Sequence, residues 1–210
     1  MSNDKKIKKF EQTEKVIRYL LKYVNGKTLD FGAGSAKYKQ IIKEKTGEYL
    51  AFDMFSGPNI DVVGDASNTL FPEENFDTII STQLLEHVER PWLVIKEIRR
   101  ILKRGGVCIL TAPFINPSHN DPGDYFRYTT SGIKSLFKNE NFEIIECDSY
   151  GQLFTVLSGF IKFSFFNPYK KPKRGSYIIN DFLLKIAKFL NKFTKNRIIY
   201  DSVYVVAKKK

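Results

Sequence analysis

The nine residues KTLDFGAGS, Lys27 to Ser35, decide the fold of this chain of 210 residues. A short apolar run, typical of a buried strand, ends at two glycines, and AKYKQIIKEKTG (36–47) is then typical of a helix. Gly32 and Gly34 allow a tight turn and a close approach of the backbone to a ligand. The free N–H groups at the start of such a helix favour negative charge. The stretch therefore predicts a strand–turn–helix unit with a binding site at its turn.

The rest of the chain alternates apolar strands with amphipathic helices. The pattern predicts further strands at 48–54, 60–65, 75–82, 107–113 and 142–150. It predicts helices at 7–25, at 90–104 with Gly105-Gly106 after its end, and after an N-cap at Thr130 or Ser131. This alternation predicts an α/β fold, with a parallel sheet that is covered by helices on both faces. The final run SVYVVAKK (202–209) predicts one more strand, antiparallel at an edge of the sheet.

Carboxylates stand at the ends of successive predicted strands. Asp53 lies about twenty residues after the glycines, where an acidic residue accepts hydrogen bonds from both hydroxyls of a ribose. Asp65, in Gly64-Asp65-Ala66, can accept a hydrogen bond from an amino group such as that of adenine. Together with Asp30, these groups form a row at the carboxyl edge of the sheet, which indicates an adenosyl cofactor.

In this order, DFGAGS, FDM, VGDAS, FDTIISTQLLEHV and ILKRGGVCILTAP resemble the motifs of the class I S-adenosylmethionine-dependent methyltransferases. The nearest subgroup is the type 11, ubiquinone-biosynthesis-like one, and the resemblance covers about residues 25 to 150. It implies a Rossmann-like sheet of seven strands with an antiparallel last strand, and S-adenosyl-L-methionine as the cofactor. A nicotinamide dinucleotide fits less well, because the pattern G-x-G-x-x-G needs a glycine at position 37, where this chain has Lys.

The resemblance also implies roles for individual residues. The methionine part of the cofactor would be held by Asp30, Gly32 and Gly34, and the ribose by Asp53 with Met54 beside it. Asp65 and Ala66 would flank the adenine, and the floor of the site would be lined by Gln83 and Leu84.

The segment HNDPGDYFRYT (119–129) combines ionisable and aromatic side chains in the loop after the fifth predicted strand. It leaves the sheet on the ligand side, and similar loops in methyltransferases of saccharide pathways help to form the acceptor site. We therefore expect His119 and Asp124 to accept protons, and three further residues to bind the acceptor, namely Tyr125, Arg127 and Tyr128. In the alternative, Arg127 pairs with an aspartate to hold the loop, and Tyr128 packs beneath it.

The second histidine, His87 in LLEHVERP, is better explained by a capping or backbone hydrogen bond than by catalysis. No cluster has metal-ligand spacing. The set His119, Asp121 and Asp124 lacks a second histidine nearby in the sequence, so no metal is expected.

The net charge of +11 comes from the last quarter of the chain. Residues 160–210 hold thirteen Lys or Arg and two acidic residues, whereas residues 1–159 are balanced. Cys108 and Cys147 lie in apolar runs and are expected to be reduced core residues. No segment resembles a signal peptide, and none has the ~18 uninterrupted apolar residues of a membrane span, so a cytoplasmic protein is predicted.

The chain is predicted to be one methyltransferase domain. Residues 1–26 carry an N-terminal helix, 27–150 the cofactor-binding core, 151–200 a helical addition and 201–210 the last strand. The addition contains YIINDFLLKIAKFLNKF (177–193), typical of a basic amphipathic helix. Three interpretations of this segment stay open: a covering for the core, an element on the inner surface of a membrane, or a nucleic-acid surface.

The predicted function is methyl transfer to the oxygen of a small-molecule or saccharide-type acceptor. A C-terminal segment on a membrane surface would suit an acceptor that is linked to a lipid. The alternatives are a tRNA or rRNA methyltransferase and a non-catalytic scaffold that binds a partner through its basic face.

Overall fold

A computed structural model describes Phe10, residues 12–119 and 122–165, and residues 182–210 apart from 184, 188 and 195–197. The strands are β1 (Lys27–Phe31), β2 (Glu48–Asp53), β3 (Val62–Val63), β4 (Phe76–Thr82), β5 (Leu102–Pro113), β6 (Phe142–Tyr150) and β7 (Ser202–Lys209). The α-helices with defined bounds are α1 (Thr13–Leu20), α2 (Lys39–Lys43), α3 (Pro91–Ile101), α4 (Thr130–Asn139) and α5 (Leu153–Phe165).

The seven strands form one sheet in the order β3-β2-β1-β4-β5-β7-β6. Strands β1 to β5 pair in parallel, whereas β7 runs antiparallel to both of its neighbours. This topology confirms the predicted Rossmann-like α/β fold with an antiparallel last strand. It also places the carboxyl ends of β1, β2, β4 and β5 at one edge of the sheet, where the loops after them meet.

The sequence-based placement of β7 at an edge of the sheet is wrong, because β7 lies between β5 and β6. Every residue from Ser202 to Ala207 is buried. A strand that is buried on both faces suits the interior of a covered sheet. Pairing along both edges also satisfies its backbone donors and acceptors, which an edge position would leave open.

Helices cover both faces of the sheet and form two apolar cores. One core lies against α3 and α4 and includes Leu29, Ile79, Val94, Ile98, Ile133 and Phe137. The other lies against α1 and includes Ile17, Leu20, Ile42, Ile80 and Tyr204. Consecutive residues of a strand point to opposite faces, so β4 contributes Ile79 to one core and Ile80 to the other.

Several predicted element bounds differ from the observed ones. The helix predicted at 7–25 is α1 followed by a 3-10 turn at Leu21–Tyr23, and residues 1–9 lie outside the described part. The strand predicted at 60–65 has only the two residues of β3, at the exposed edge of the sheet. The helix α4 has Thr129 as its N-cap, one residue before the predicted position, and the Thr129 hydroxyl accepts a hydrogen bond from the Gly132 N–H.

The strand β5 begins at Leu102, directly after α3 and five residues before its predicted start. Gly105 and Gly106 therefore lie within this strand rather than between helix and strand. Gly106 passes so close to the backbone that a Cβ atom there would lie 2.8 Å from the carbonyl oxygen of Lys103. Glycine is thus required at this irregular first part of β5.

The C-terminal addition is partly described. Helix α5 is followed by residues 166–181, which lie outside the described part, and the described residues from 182 to 190 are helical. Asn191 ties the two parts together, since its side chain accepts from Phe154 N–H at 3.1 Å and donates to Thr155 Oγ1 at 2.8 Å. None of the helices in the described ranges is long and apolar enough to cross a membrane. Both cysteines are free thiols, and Cys108 is buried as predicted.

Candidate active site

A cavity of about 800 Å³ opens at the carboxyl edge of the sheet. Tyr125 lines it, and so do most of the residues predicted to bind the cofactor, namely Gly32, Gly34, Asp53, Met54, Asp65, Ala66, Gln83 and Leu84. The remaining predicted site residues are not among its lining residues, and these are Asp30, His119, Asp124, Arg127 and Tyr128. Among the lining residues that were not predicted are Lys37, Tyr38, His87, Glu89 and Arg90.

The turn after β1 depends on its glycines. Gly32 has φ +74°, and a Cβ atom on it would lie 2.7 Å from the side chain of Leu84. The N–H groups of Gly32 and Ala33 both donate to the Phe52 carbonyl, at 2.9 and 3.0 Å. The turn is therefore fixed to the end of β2 while Leu84 packs against its bare backbone.

Asp53 connects this turn to the end of β2. Its Oδ2 accepts from the Gly34 N–H at 2.8 Å, and its Oδ1 accepts from the Phe55 N–H at 3.0 Å. Each carboxylate oxygen can accept more than one hydrogen bond, so Asp53 can hold the loop and still accept from a ligand in the cavity.

Asp30 lies beneath the glycine turn and is 2% exposed. Its Oδ2 accepts from the Tyr49 hydroxyl at 2.6 Å, whereas its Oδ1 has no hydrogen-bond partner among the described residues. Burial raises the pKa of this carboxyl to about 6, against the opposing hydrogen bond from Tyr49. A buried acceptor without a donor is costly, so this oxygen suits the amino group of a ligand. The sequence argument missed Tyr49, which lies on the neighbouring strand.

Asp65 and Gln83 mark two further strand ends. Oδ1 of Asp65 accepts from the N–H and the hydroxyl of Ser67, at 2.7 and 2.8 Å, which fixes the turn after β3. Gln83 has φ +54°, a conformation that is rare for a residue with a side chain. Its amide donates to Thr111 Oγ1 of β5 at 3.1 Å and to Tyr150 Oη of β6 at 3.2 Å, so these two strands hold the Gln83 side chain in the lining of the cavity.

Arg127 and Asp124 form a two-bonded ion pair within the loop after β5. Arg127 Nη2 donates to Asp124 Oδ2 at 2.7 Å, Nη1 contacts Oδ1, and the guanidinium also donates to the carbonyls of Asn116 and Pro117. Asp124 is 2% exposed and also accepts from the His119 N–H at 2.9 Å. The guanidinium holds the pKa of Asp124 far below its usual range. A carboxylate in these bonds is a weak proton acceptor, and the pair holds the loop.

The two tyrosines of this loop occupy different environments. Tyr128 is buried, and its hydroxyl donates to the Leu85 carbonyl at 3.1 Å, so it packs beneath the loop. Tyr125 is half-exposed and lines the cavity, and its hydroxyl donates to Glu89 at 3.1 Å. Tyr125 is therefore the aromatic side chain of the segment that a bound acceptor can reach.

The loops after β4 and β5 bring both histidines of the chain together. The rings of His87 and His119 lie 5.1 Å apart, centroid to centroid, and Glu86 Oε1 lies 3.8 Å from His87 Nε2. Glu86 is completely buried, and neither of its carboxylate oxygens has a hydrogen-bond partner within the described ranges. Burial raises the pKa of Glu86 to about 7. Glu86 was not among the predicted site residues; its signal in the sequence is an acidic residue directly after the apolar pair Leu84-Leu85, in the loop after β4.

Comparison with known proteins gives a consistent picture. Residues 29–110 match the model of a methyltransferase domain. The uncharacterized protein MJ1123 of Methanocaldococcus jannaschii is 28% identical over 90 residues, which span 40% of this chain and 43% of that relative. Among solved structures, the cyclase SpnF has a TM-score of 0.62 at 14% identity, over 93% of this chain and 81% of that one. An S-adenosylmethionine-dependent methyltransferase of Archaeoglobus fulgidus has a TM-score of 0.60 at 17% identity, over 93% and 94%.

The motif order, the domain match and the sheet topology agree. Residues 29–110 match the model of a methyltransferase domain, and the sheet has the fold of the class I S-adenosylmethionine-dependent methyltransferases, as the sequence resemblance implies. Because one protein of similar fold is a cyclase, the fold by itself does not define the reaction or its acceptor.

Proposed function

We propose that the chain is an S-adenosylmethionine-dependent methyltransferase that methylates an oxygen of a small-molecule or saccharide-type acceptor. The observation that carries the proposal is the cavity of about 800 Å³. Its lining includes residues predicted to bind the cofactor, here called the first or cofactor wall, and His87 and Tyr125, here called the second or acceptor wall. Such a volume lies in the range of pockets that bind small molecules.

The first wall fits the cofactor group by group. Beneath this wall, under the glycine turn, the unpartnered Oδ1 of Asp30 offers an acceptor for the methionine amine, while Asp53 and Asp65 line the cavity as acceptors for ribose and adenine. When bound, S-adenosylmethionine supplies a sulfonium methyl group, which an acceptor oxygen takes while the sulfur keeps the electron pair of the broken bond. Catalysis then requires that the protein position the acceptor and remove its proton.

The second wall supplies the polar groups for the acceptor. His87 and Tyr125 line the cavity, and His119 lies against His87. Imidazole is the better proton acceptor near neutral pH, because Asp124 is bonded to Arg127 and its pKa is far below its usual range. We therefore place acceptor binding at the histidines and Tyr125, and assign loop positioning to Arg127 and Asp124.

Calorimetry with S-adenosylhomocysteine tests the cofactor wall. We expect binding by the wild type and a loss of affinity of at least tenfold in Asp53→Ala and in Asp65→Ala. Glu143→Ala, which removes an exposed carboxylate of β6 far from the cavity, is the matched control and should bind normally. No binding by the wild type, or unchanged affinity in both cavity variants, would refute the cofactor assignment and favour a non-catalytic scaffold.

Methyl transfer itself is tested with cell extract and labelled cofactor, followed by identification of the labelled product. His119→Ala should lose turnover while it keeps cofactor affinity, since His119 lies outside the cofactor wall. Arg127→Ala should lose turnover because the loop loses its ion pair. A labelled RNA product would support the RNA alternative instead of a small acceptor.

The C-terminal addition supports a lipid-linked acceptor. Its described part exposes large apolar side chains, namely Leu157, Phe160, Ile161, Phe182, Ile186, Phe189, Phe193 and Ile198. This surface belongs to the quarter of the chain that carries the net charge of +11. Apolar side chains beside lysines suit the surface of an anionic membrane, whereas an RNA surface would favour arginine, of which this segment has little. We propose that this segment rests on an anionic lipid surface.

Flotation with liposomes tests this placement. The protein should float with vesicles that contain phosphatidylglycerol and stay unbound with pure phosphatidylcholine, and added salt should weaken the binding. Replacing Phe189 and Phe193 together by Ser should reduce flotation while cofactor affinity is kept. Equal recovery of wild type and variant, or retention of tRNA in place of vesicles, would contradict the membrane assignment.

A further inference from the structure

Glu86, His87 and His119 form a cluster whose composition has no explanation in the cofactor site. The chain has two histidines, and the fold brings both to one buried carboxylate although 32 positions of sequence separate them. One ligand-type atom from each residue lies within 4.8 Å of the other two. Glu86 contributes a carboxylate that is 0% exposed and unpartnered in the part of the chain that the structure describes.

The hydrogen bonds of the two imidazoles leave one nitrogen of each ring available. His87 Nδ1 contacts the Gly123 carbonyl oxygen, and His119 Nδ1 lies 3.2 Å from the Pro117 carbonyl oxygen. A carbonyl can only accept, so both Nδ1 atoms carry the proton and both Nε2 atoms present a lone pair. Histidines that bind metals usually have this second-shell arrangement, in which a carbonyl orients the ring.

The charged groups around the cluster leave room for a bound cation beside Glu86. Arg127 acts electrostatically on Glu86, but it is already paired with Asp124 in two contacts. The side chains of His87 and His119 are 16% and 31% exposed, so an ion can reach the buried carboxylate past the rings. Two atoms bound at about 2.1 Å in a tetrahedral site lie roughly 3.4 Å apart. The ligand atoms lie within 4.8 Å of one another, so binding requires them to move closer by about 1.4 Å at most.

We propose that Glu86, His87 and His119 bind a divalent transition-metal ion, with Zn²⁺ as the reference ion, beside the cavity that His87 lines. Two imidazoles and one carboxylate suit ions such as Zn²⁺, Mn²⁺ or Fe²⁺, whereas Mg²⁺ prefers oxygen ligands alone. Three protein ligands leave a coordination position open, which is the arrangement of metal sites that act on substrates.

The open position indicates what the ion does. His87 lines the cavity, so an ion on its Nε2 lies where an acceptor oxygen can complete the coordination. This role of the ion rests on the proposed function, whereas the binding of the ion does not. With the ion bound, His119 is a metal ligand and not the proton acceptor. The acceptor hydroxyl then loses its proton because the ion lowers the pKa of that hydroxyl.

Metal binding is measured on the full chain after removal of any histidine tag and treatment with chelator. We expect one Zn²⁺ per chain by calorimetry, and one Co²⁺ with a visible absorption spectrum. An excess of Mg²⁺ should not displace either ion. Because the chain has two histidines, the imidazole NMR signals of both should shift on addition of Zn²⁺.

The variants make the result decisive. Glu86→Gln and His119→Ala should each weaken Zn²⁺ binding by at least a hundredfold, while Glu89→Gln, a neighbouring carboxylate outside the cluster, should bind as the wild type does. His119 lies in a partly exposed loop, so His119→Ala stays informative if Glu86→Gln does not fold. Absence of stoichiometric binding, unshifted imidazole signals, or full affinity in His119→Ala would overturn the proposal.

S-adenosylhomocysteine calorimetry on the metal-free protein separates this proposal from the proposed function. Loss of cofactor binding with Zn²⁺ binding kept would leave the metal site standing and remove the methyltransferase. Cofactor binding without Zn²⁺ binding would remove the metal site and leave the methyltransferase proposal standing. Chelator should abolish turnover if His119 is a ligand, and leave it unchanged if His119 is a proton acceptor.

Discussion

The carboxyl group of Asp30 should make cofactor binding depend on pH. Burial raises its pKa to about 6, and its Oδ1 has no partner in the described part of the chain. If the ionised carboxylate holds the amino group of the cofactor, protonation removes the charge that binds it. The free protein is ionised at this position above about pH 6, so affinity should be full there and should fall as the pH drops through that value.

The size of the effect follows from the pKa. A group that titrates near 6 is mostly ionised at pH 7 and about one-tenth ionised at pH 5, so the Kd for S-adenosylhomocysteine should rise about tenfold between them. Asp30→Asn keeps the shape but removes the charge. Hydrogen bonds to charged groups contribute ~1.5–3 kcal/mol, which corresponds to binding weaker by roughly ten- to a hundredfold and independent of pH over this range.

The variant should not be less stable when no ligand is present. A pKa raised to about 6 means that the folded protein disfavours the buried charge by about 3 kcal/mol, and the amide removes that charge. Above this pKa, Asp30→Asn should therefore unfold at the same urea concentration as the wild type or at a higher one. A weaker ligand affinity in a protein of equal stability assigns the loss to the contact with the cofactor.

The assay is calorimetry from about pH 5 to pH 8 on wild type, Asp30→Asn and Tyr49→Phe. Tyr49→Phe removes the hydrogen bond that lowers the pKa of Asp30, so the midpoint of the wild-type pH dependence should move to higher pH. Affinity that stays constant between pH 5 and 7 in the wild type would refute the reasoning. Binding of S-adenosylhomocysteine by Asp30→Asn as tightly as by the wild type near pH 8 would also refute it.

Two further predictions concern the loops on either side of the cavity. Gly32→Ala places a side chain at φ +74° and 2.7 Å from Leu84, so the variant should be less stable by about 2 kcal/mol and should bind the cofactor more weakly. Its Tm should fall by ~4–8 °C. Gly34→Ala is the control at φ +57° with open space around it, and it should lower the stability less. Arg127→Lys breaks the two-bonded pair with the 2% exposed Asp124 and should lower the unfolding free energy by ~1–3 kcal/mol in urea. Because the pKa of Asp124 is lowered in the fold, the difference in unfolding free energy between wild type and Arg127→Lys should be full above about pH 4 and should shrink as the pH falls further. A difference that grows on acidification would contradict this prediction.

The fold could be predicted where the sequence carries local signals. Glycines after β1 and the alternation of apolar strands with helices define the parallel part of the sheet. The position of β7 could not be predicted in this way, because strand order depends on which edges pair. The residues Val203 to Ala207 are all buried, and this continuous apolar run was the available signal for an interior strand.

The cofactor side of the site was more predictable than the acceptor side for a related reason. Asp53 and Asp65 follow strand ends directly, so the topology alone carries both to the cavity. Residues of the long loop after β5 have no such constraint. Tyr125 and Tyr128 are three positions apart, yet one lines the cavity and the other packs below the loop, because the pairing of Arg127 with Asp124 turns the chain between them.

His87 and Glu86 lie close to His119 because of the sheet topology. Two loops that follow neighbouring parallel strands, β4 and β5, meet at the edge of the sheet whatever their separation in sequence. Sequence spacing therefore understates how close such residues come. A carboxylate as buried and unpartnered as Glu86 would normally be replaced or neutralised, so its position beside two oriented imidazoles favours a cation as the missing partner.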